Sequence, residues 1–311
     1  MTIITYMIAY CGIAIFLVAC VARFKMWSKM PMHVRWELYP VAHEGGGKAA
    51  YGGSYLEESD WWTKPRNVSL VGEAKVMVPE ILFLEALKEH NNQLWKRSFP
   101  FHFGLYLVAA CTMLMIVNGI LSALLPGLMA GFIGALFSWL IPITGYAGLV
   151  LGLAGAVGLI QRRFVKPLRD YSAPVDVLNL VFFVVAFGTA LVTALWVDRG
   201  FELVTAFVGN LVTFHVAPLP GTGPEALMPM ISAILLAALV AYIPLTHMSH
   251  FVGKYFAYHS IRWADEPNLP GGKHEKVIHE LLDQPVSWSA PHIQGDGKKT
   301  WLDVATEDPK K

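Results

Sequence analysis

Two histidines stand near the ends of long charge-free runs. His102 follows Arg97 by five residues at the start of one run, and His250 precedes Lys254 by four at the end of another. If both runs are helical, a rise of about 1.5 Å per residue puts each imidazole roughly 6–8 Å inside the charge that flanks it. The two rings are therefore expected at matching depth on one side of a membrane. Ionisable side chains inside a bilayer are costly and mark functional sites. Two neutral imidazoles at one level can take both axial positions of a haem iron, a coordination suited to electron transfer because it leaves no open metal site.

The elements that must carry these residues are membrane helices. The 311-residue chain is 55% hydrophobic and 15% charged, with a mean hydropathy of +0.47. Its charges are segregated. No Asp, Glu, Lys or Arg occurs from Met1 to Ala22, Ser98 to Gln161, Val177 to Val197 or Ala226 to Gly253. A span needs about 20 apolar residues, so the second run must hold two, turning at Leu125-Pro126-Gly127. The expected fold is an all-α integral membrane five-helix bundle. Its segments are a first transmembrane helix (1–24), a cytoplasmic insertion with an interfacial helix (25–97), a four-helix membrane core (98–253) and a cytoplasmic docking tail (254–311).

Orientation follows from the basic residues. All but Arg199 of the 24 Lys and Arg fall on one side if the N-terminus is outside and the C-terminus cytoplasmic. Basic residues concentrate in cytoplasmic segments, which places both histidines near that face. Leu17-Val18-Ala19-Cys20 has the look of a lipoprotein cleavage box, but a signal peptide opens with positive charge and here Arg23 and Lys25 follow the apolar run. An uncleaved first span is the expectation. The net charge of +1 points to no polyanionic partner, and nucleic-acid binding has no support.

Cys11, Cys20 and Cys111 lie inside spans without a Cys-x-x-Cys arrangement, which argues against an iron–sulfur cluster or a disulfide framework. Electrons passing through a haem would then need another subunit. Gly45-Gly46-Gly47-Lys48 lacks Walker A spacing and reads as a flexible loop. Gly145, Gly148, Gly152 and Gly155 put small residues on one helix face, for close helix packing or to make room for a flat cofactor. Pro79 to Lys96 reads as a helix with proline in its first turn, lying along the membrane surface or under a partner. The tail from Asn268 reads as an extended docking arm, unable to bury a core of its own.

Arg97-Ser98-Phe99-Pro100-Phe101-His102-Phe103-Gly104 resembles the second-span entry of the gamma subunit of respiratory nitrate reductases. Leu159-Ile160-Gln161-Arg162-Arg163-Phe164, Pro174-Val175-Asp176-Val177-Leu178, Val212-Thr213-Phe214-His215 and Tyr242-Ile243-Pro244 before His250 continue the similarity over about residues 95–255. Where that family has a second pair of haem histidines, this chain has Thr112 and Ser232. The resemblance therefore implies one haem b, on the cytoplasmic side, ligated by His102 and His250. The segment containing His33-Val34-Arg35-Trp36-Glu37-Leu38-Tyr39-Pro40 is more similar to the cytochrome b subunits that partner heterodisulfide-reductase-like iron–sulfur proteins, including those of sulfate reducers.

The function implied is a respiratory quinone oxidoreductase subunit in a bacterial or archaeal cytoplasmic membrane. It passes electrons between menaquinone and a cytoplasmic iron–sulfur subunit, with further subunits in the complex and no complete catalytic cycle in this chain alone. Arg162 and Arg163 could pair with haem propionates or serve as topological anchors. His247, one turn before His250, could meet a propionate, take a proton from quinol or replace His250 as ligand. His215 is expected in a short amphipathic outer helix, where it could accept a proton. His33, His43, His90, His259, His274, His279 and His292 fall in soluble segments, where exposure is the default. The quinone is expected beside His102 and His250, against the glycine face with Gly148 and Gly152. The competing class is a haem-free membrane anchor or small transporter, in which the two histidines are polar contacts between helices; no internal repeat favours a transporter.

Overall fold

The computed structural model describes residues 2–30, 40–218, 224–291, 293 and 295–307. It is all-helical, with two isolated β-bridges and no strand among the described residues. In chain order the helices are α1 (Thr2–Trp27), α2 (Leu70–Phe83), α3 (Glu85–His90), α4 (Asn92–Leu124), α5 (Pro126–Met129), α6 (Phe132–Arg163), α7 (Pro174–Trp196), α8 (Glu202–Val212), α9 (Pro224–Tyr242), α10 (His250–Phe256), α11 (Lys273–Leu282) and α12 (Trp301–Thr306). Among the described residues, five helical segments are long and apolar enough to cross a membrane: α1, α4, α6, α7 and Glu225–Leu245, which covers α9 and the turn after it. The shortest has 21 residues. That is about 31 Å of helix, enough for a hydrocarbon core of about 30 Å. This is a multi-pass membrane protein.

The breaks between helices have local causes. Leu125 leaves helical geometry at φ −136° and Pro126 opens the single turn of α5, so the long apolar run divides where Leu125-Pro126-Gly127 indicated. The segment before α4 differs from expectation. Helix α2 starts at Leu70, so Pro79 lies inside it instead of opening it. Leu84 then takes a left-handed conformation (φ 54°), ending the helix, and the indole of Trp95 donates to the Phe83 carbonyl at 2.7 Å. The side chain of Asn91 accepts the Leu94 N–H at 3.0 Å and caps α4. Proline position alone did not reveal the helix because its start depends on Ser69, whose Oγ accepts the Gly72 N–H at 3.0 Å.

Two compact units divide the chain. The first comprises residues 1–21 and 75–249, and the second residues 22–74 and 250–311. In the first, α4 and α6 cross along the glycine face. A Cβ on Gly104 would fall on the backbone of Gly152, one on Gly148 would lie 2.8 Å from the Val108 nitrogen, and one on Gly155 would strike the Phe101 backbone. Without a hydrophobic force between helices in lipid, such backbone approach supplies the dispersion that holds them. Phe101, Phe183 and Phe187 fill the join to α7, each 2–7% exposed, with their rings packed edge to face. On the other side Gly12 of α1 meets Ala237, and Tyr6 packs on Phe207 of α8. Large exposed apolar side chains such as Val18, Leu124, Phe132 and Trp139 are the surface expected toward lipid.

The second unit has its own interior. Trp263 is fully buried, and Val41, Tyr258 and Val286 are 1–2% exposed. The tail is therefore no extended arm. The N–H of Val286 donates to the Lys299 carbonyl at 2.8 Å, Pro285 bridges to Thr300, and the Trp288 and Trp301 rings lie 6.2 Å apart. Burial of Val286 and pairing with residues 299–300 fold it back on itself. The Gly46-Gly47 stretch is a turn, both residues at positive φ, leading into a short 3-10 turn over Gly47–Tyr51.

Candidate functional site

His102 sits ten residues into α4, on the first unit, and is partly buried. Its Nδ1 lies 2.8 Å from the carbonyl oxygen of Ser98 and 3.2 Å from the Ser98 hydroxyl. A carbonyl can only accept, so Nδ1 carries the proton. In the neutral ring the lone pair then belongs to Nε2. A backbone acceptor on one ring nitrogen fixes the tautomer and rotation of an imidazole, as it does in metal-bound histidines. Ser98 is 8% exposed, which shields the bond from water.

Neighbouring residues fix the ring's height and rotation. Phe101 and Gly104, on either side of His102 in the sequence, are the residues through which α4 locks onto α6. His102 is turned about 100° from Phe101, at the edge of the packed face. The Phe101 ring stands edge-on to it, with centroids 5.5 Å apart. His102 thus rides on a crossing where the α4 and α6 backbones meet directly.

His250 is placed differently from the sequence reading. The fifth span stops at Leu245, where Ile243–Leu245 and His247–Ser249 form two successive 3-10 turns. Pro244 lacks the N–H that would continue the α-helical ladder. Thr246 is extended, and its hydroxyl accepts the Met248 N–H at 3.1 Å while the Ser249 hydroxyl donates to the Thr246 carbonyl at 2.8 Å. His250 opens α10 in the second unit, whereas His247 opens the 3-10 turn with which the first unit ends at Ser249. The two are therefore not one turn apart on a single helical face. Both are exposed within the chain.

Gly148 and Gly152 do not form a cofactor groove. Gly148 faces the α4 backbone, and a Cβ on Gly152 would lie 2.6 Å from the Phe187 ring. Gly145 is covered by the ring of Phe201 in the same way, at 2.5 Å. At Gly148 and Gly152 the face expected to admit a quinone is filled by helix packing. A partly open, mostly apolar cavity of about 250 Å3 lies in the first unit beside Gly145, Cys111, Thr112, Met115, Leu149 and Ser232. Its hydroxyls are satisfied within the protein: Ser232 and Thr193 bond at 2.7 Å and Thr112 donates to the Val108 carbonyl at 2.9 Å.

Arg163 pairs with Asp176 at 3.2 Å, while Arg162 lines an open cavity with Arg97 and Lys166. His215 lies beyond the C-cap of α8, exposed, with its N–H donated to the Asn210 carbonyl at 2.9 Å. His33 and His292 lie outside the described residues.

The soluble histidines are not uniformly at the surface. His43 is 6% exposed, and its Nε2 donates to Oδ2 of Asp265 at 2.8 Å. Asp265 also accepts the Tyr55 hydroxyl and a bond from Arg66 at 3.0 Å, and the ring of Trp263 stands edge-on to His43 at 5.8 Å. Burial pushes the Asp265 carboxyl up, but the His43 and Tyr55 hydrogen bonds and the charges of His43 and Arg66 outweigh it and hold the group below the ordinary carboxylate value. This network is missing from the sequence reading because its members come from distant parts of the chain. His259 stacks on Tyr255 with centroids 4.1 Å apart and faces Glu73 at 3.5 Å.

No family model, curated protein or solved structure matches the chain.

Proposed function

We propose that the chain is the haem b membrane subunit of a respiratory quinone-linked oxidoreductase, holding one haem between His102 and His250. The observation that carries this reading is the Nδ1 bond from His102 to the Ser98 carbonyl, at a membrane-helix position where an imidazole would otherwise be a costly passenger. Haem held by His102 and His250 would supply one-electron transfer. The chain's own task is to fix the tautomer of His102 and hold α4 at constant height through Gly104 and Phe101. The four packed glycines and the three phenylalanines around them give this crossing little freedom to move.

Menaquinone is the proposed membrane-soluble partner. A cytoplasmic heterodisulfide-reductase-like iron–sulfur subunit is the proposed soluble one. The first rests on the resemblance of the Arg97–Gly104 and Leu159–Phe164 stretches to nitrate reductase gamma subunits and the second on the similarity of the His33–Pro40 segment to the cytochrome b subunits that partner heterodisulfide-reductase-like proteins, with the cytoplasmic orientation supported by the distribution of basic residues. Cys11 and Cys20 on α1 and Cys111 on α4 are free and dispersed, a poor donor set for a cluster, so electrons would leave through another chain.

The test is a dithionite-reduced minus oxidised spectrum of the purified chain, with pyridine haemochrome quantification. One low-spin haem b per chain is the expected result. Two haems per chain would overturn the single-haem assignment, and a chain that takes up none would be a membrane anchor instead.

A further inference from the structure

At the end of the first unit where α4 begins and α6 ends, Arg97, Arg162 and Lys166 line one open cavity of about 430 Å3 with Gln161, Leu168 and Tyr171. Three cations share this space, and no Asp or Glu lines it. The surrounding charges are compensated in a way these are not. Arg163 pairs with Asp176 at 3.2 Å and Arg169 with Asp170 at 3.6 Å, whereas no carboxylate among the described residues pairs with Arg97, Arg162 or Lys166. Consecutive arginines thus divide, one neutralised within the fold and the other turned into the cavity.

Packing holds the cluster in place. The stem of Arg97 lies over Gly158 of α6, where a Cβ would meet Cγ of Arg97 at 3.3 Å, and its guanidinium donates one hydrogen to the Gln93 carbonyl at 2.9 Å. Most of its five donors remain for an anion. Val165 and Tyr171, 62% and 83% exposed, give it an apolar rim. Basic residues beside exposed apolar side chains at the end of membrane helices fit an interfacial ligand with a charged head and a hydrocarbon body.

We propose that this cavity binds the phosphate of an anionic phospholipid, with Arg97, Arg162 and Lys166 as its charge partners and Val165 and Tyr171 against its glycerol and acyl region. Planar guanidinium groups match phosphate oxygens in pairs, and the lysine adds a point charge. A free phosphate would meet the cations but leave the apolar rim uncovered. The site stands independently of any haem and assigns Arg162 to a lipid instead of a propionate.

Native mass spectrometry of the full chain, released from detergent, tests this with dioleoylphosphatidylglycerol, dioleoylphosphatidylcholine and inorganic phosphate as probes. We expect the anionic lipid to be retained at least about tenfold more than the zwitterionic one. Arg162→Gln, and more completely Arg97→Gln with Arg162→Gln and Lys166→Gln, should remove that preference, while Arg169→Gln keeps it. The single variant decides the matter if the triple one does not fold. Equal retention of both lipids, an equal loss in Arg169→Gln, or displacement of the lipid by equimolar inorganic phosphate would each overturn the proposal.

Discussion

The proton on Nδ1 of His102 is held by the carbonyl oxygen of Ser98, 2.8 Å away and one helical turn back. Because the acceptor is backbone, removing the serine side chain leaves it in place. Ser98→Ala should therefore retain haem with its spectrum little changed, whereas His102→Ala should abolish low-spin haem. The same measurement separates the second ligand. Loss in His250→Ala with retention in His247→Ala is expected, and the reverse result would transfer the role to His247.

The α4–α6 crossing should be intolerant of added volume. Gly152→Ala places a Cβ 2.6 Å from the Phe187 ring and is expected to cost about 1–3 kcal/mol, with a lower melting temperature in detergent. At Gly188 in α7 a Cβ would meet no atom within 4 Å, so Gly188→Ala should be neutral or stabilise by up to about 1 kcal/mol. Equal effects at the two positions would contradict the packing described.

The second unit should loosen in acid. The folded-state pKa of Asp265 is depressed, so the stability it contributes is present above the unfolded carboxylate value of about 3.9 and is lost as pH falls through the folded one. Trp263, fully buried against His43, is the reporter. Its fluorescence should shift toward that of exposed tryptophan below about pH 4. Asp265→Asn, which leaves size unchanged but removes the charge opposite Arg66 and His43, should destabilise by about 1–3 kcal/mol near neutral pH.

Docking of the proposed iron–sulfur subunit is best tested at the surface of the tail. Truncation at Asn268 would remove Val286, 1% exposed, and so disturb the interior of the second unit. Trp288 and Trp301 are 46% and 42% exposed and form an aromatic pair suited to a partner's surface. Replacing both with alanine should lower co-purification of the partner severalfold while haem content stays unchanged. Full recovery would exclude the pair from the interface.

Hydropathy and charge along the chain determined the five apolar spans, the turn at Leu125-Pro126-Gly127 and the placement of His102 inside a helix, since each depends on residues within a few turns of one another. The same local view made Gly148 and Gly152 compatible with either a cofactor groove or helix packing. Only the approach of α4, Phe187 and Phe201 decided for packing. It also continued the fifth span through His250, because a charge-free run does not reveal that Pro244 and Thr246 have turned it into two short 3-10 segments. The partners His43 and Asp265 lie 222 residues apart, and Val286 is buried by pairing across a turn of the tail. Such contacts have no periodicity to read. They arise when distant segments satisfy each other's buried polar groups and cover each other's apolar ones, which is settled by tertiary structure alone.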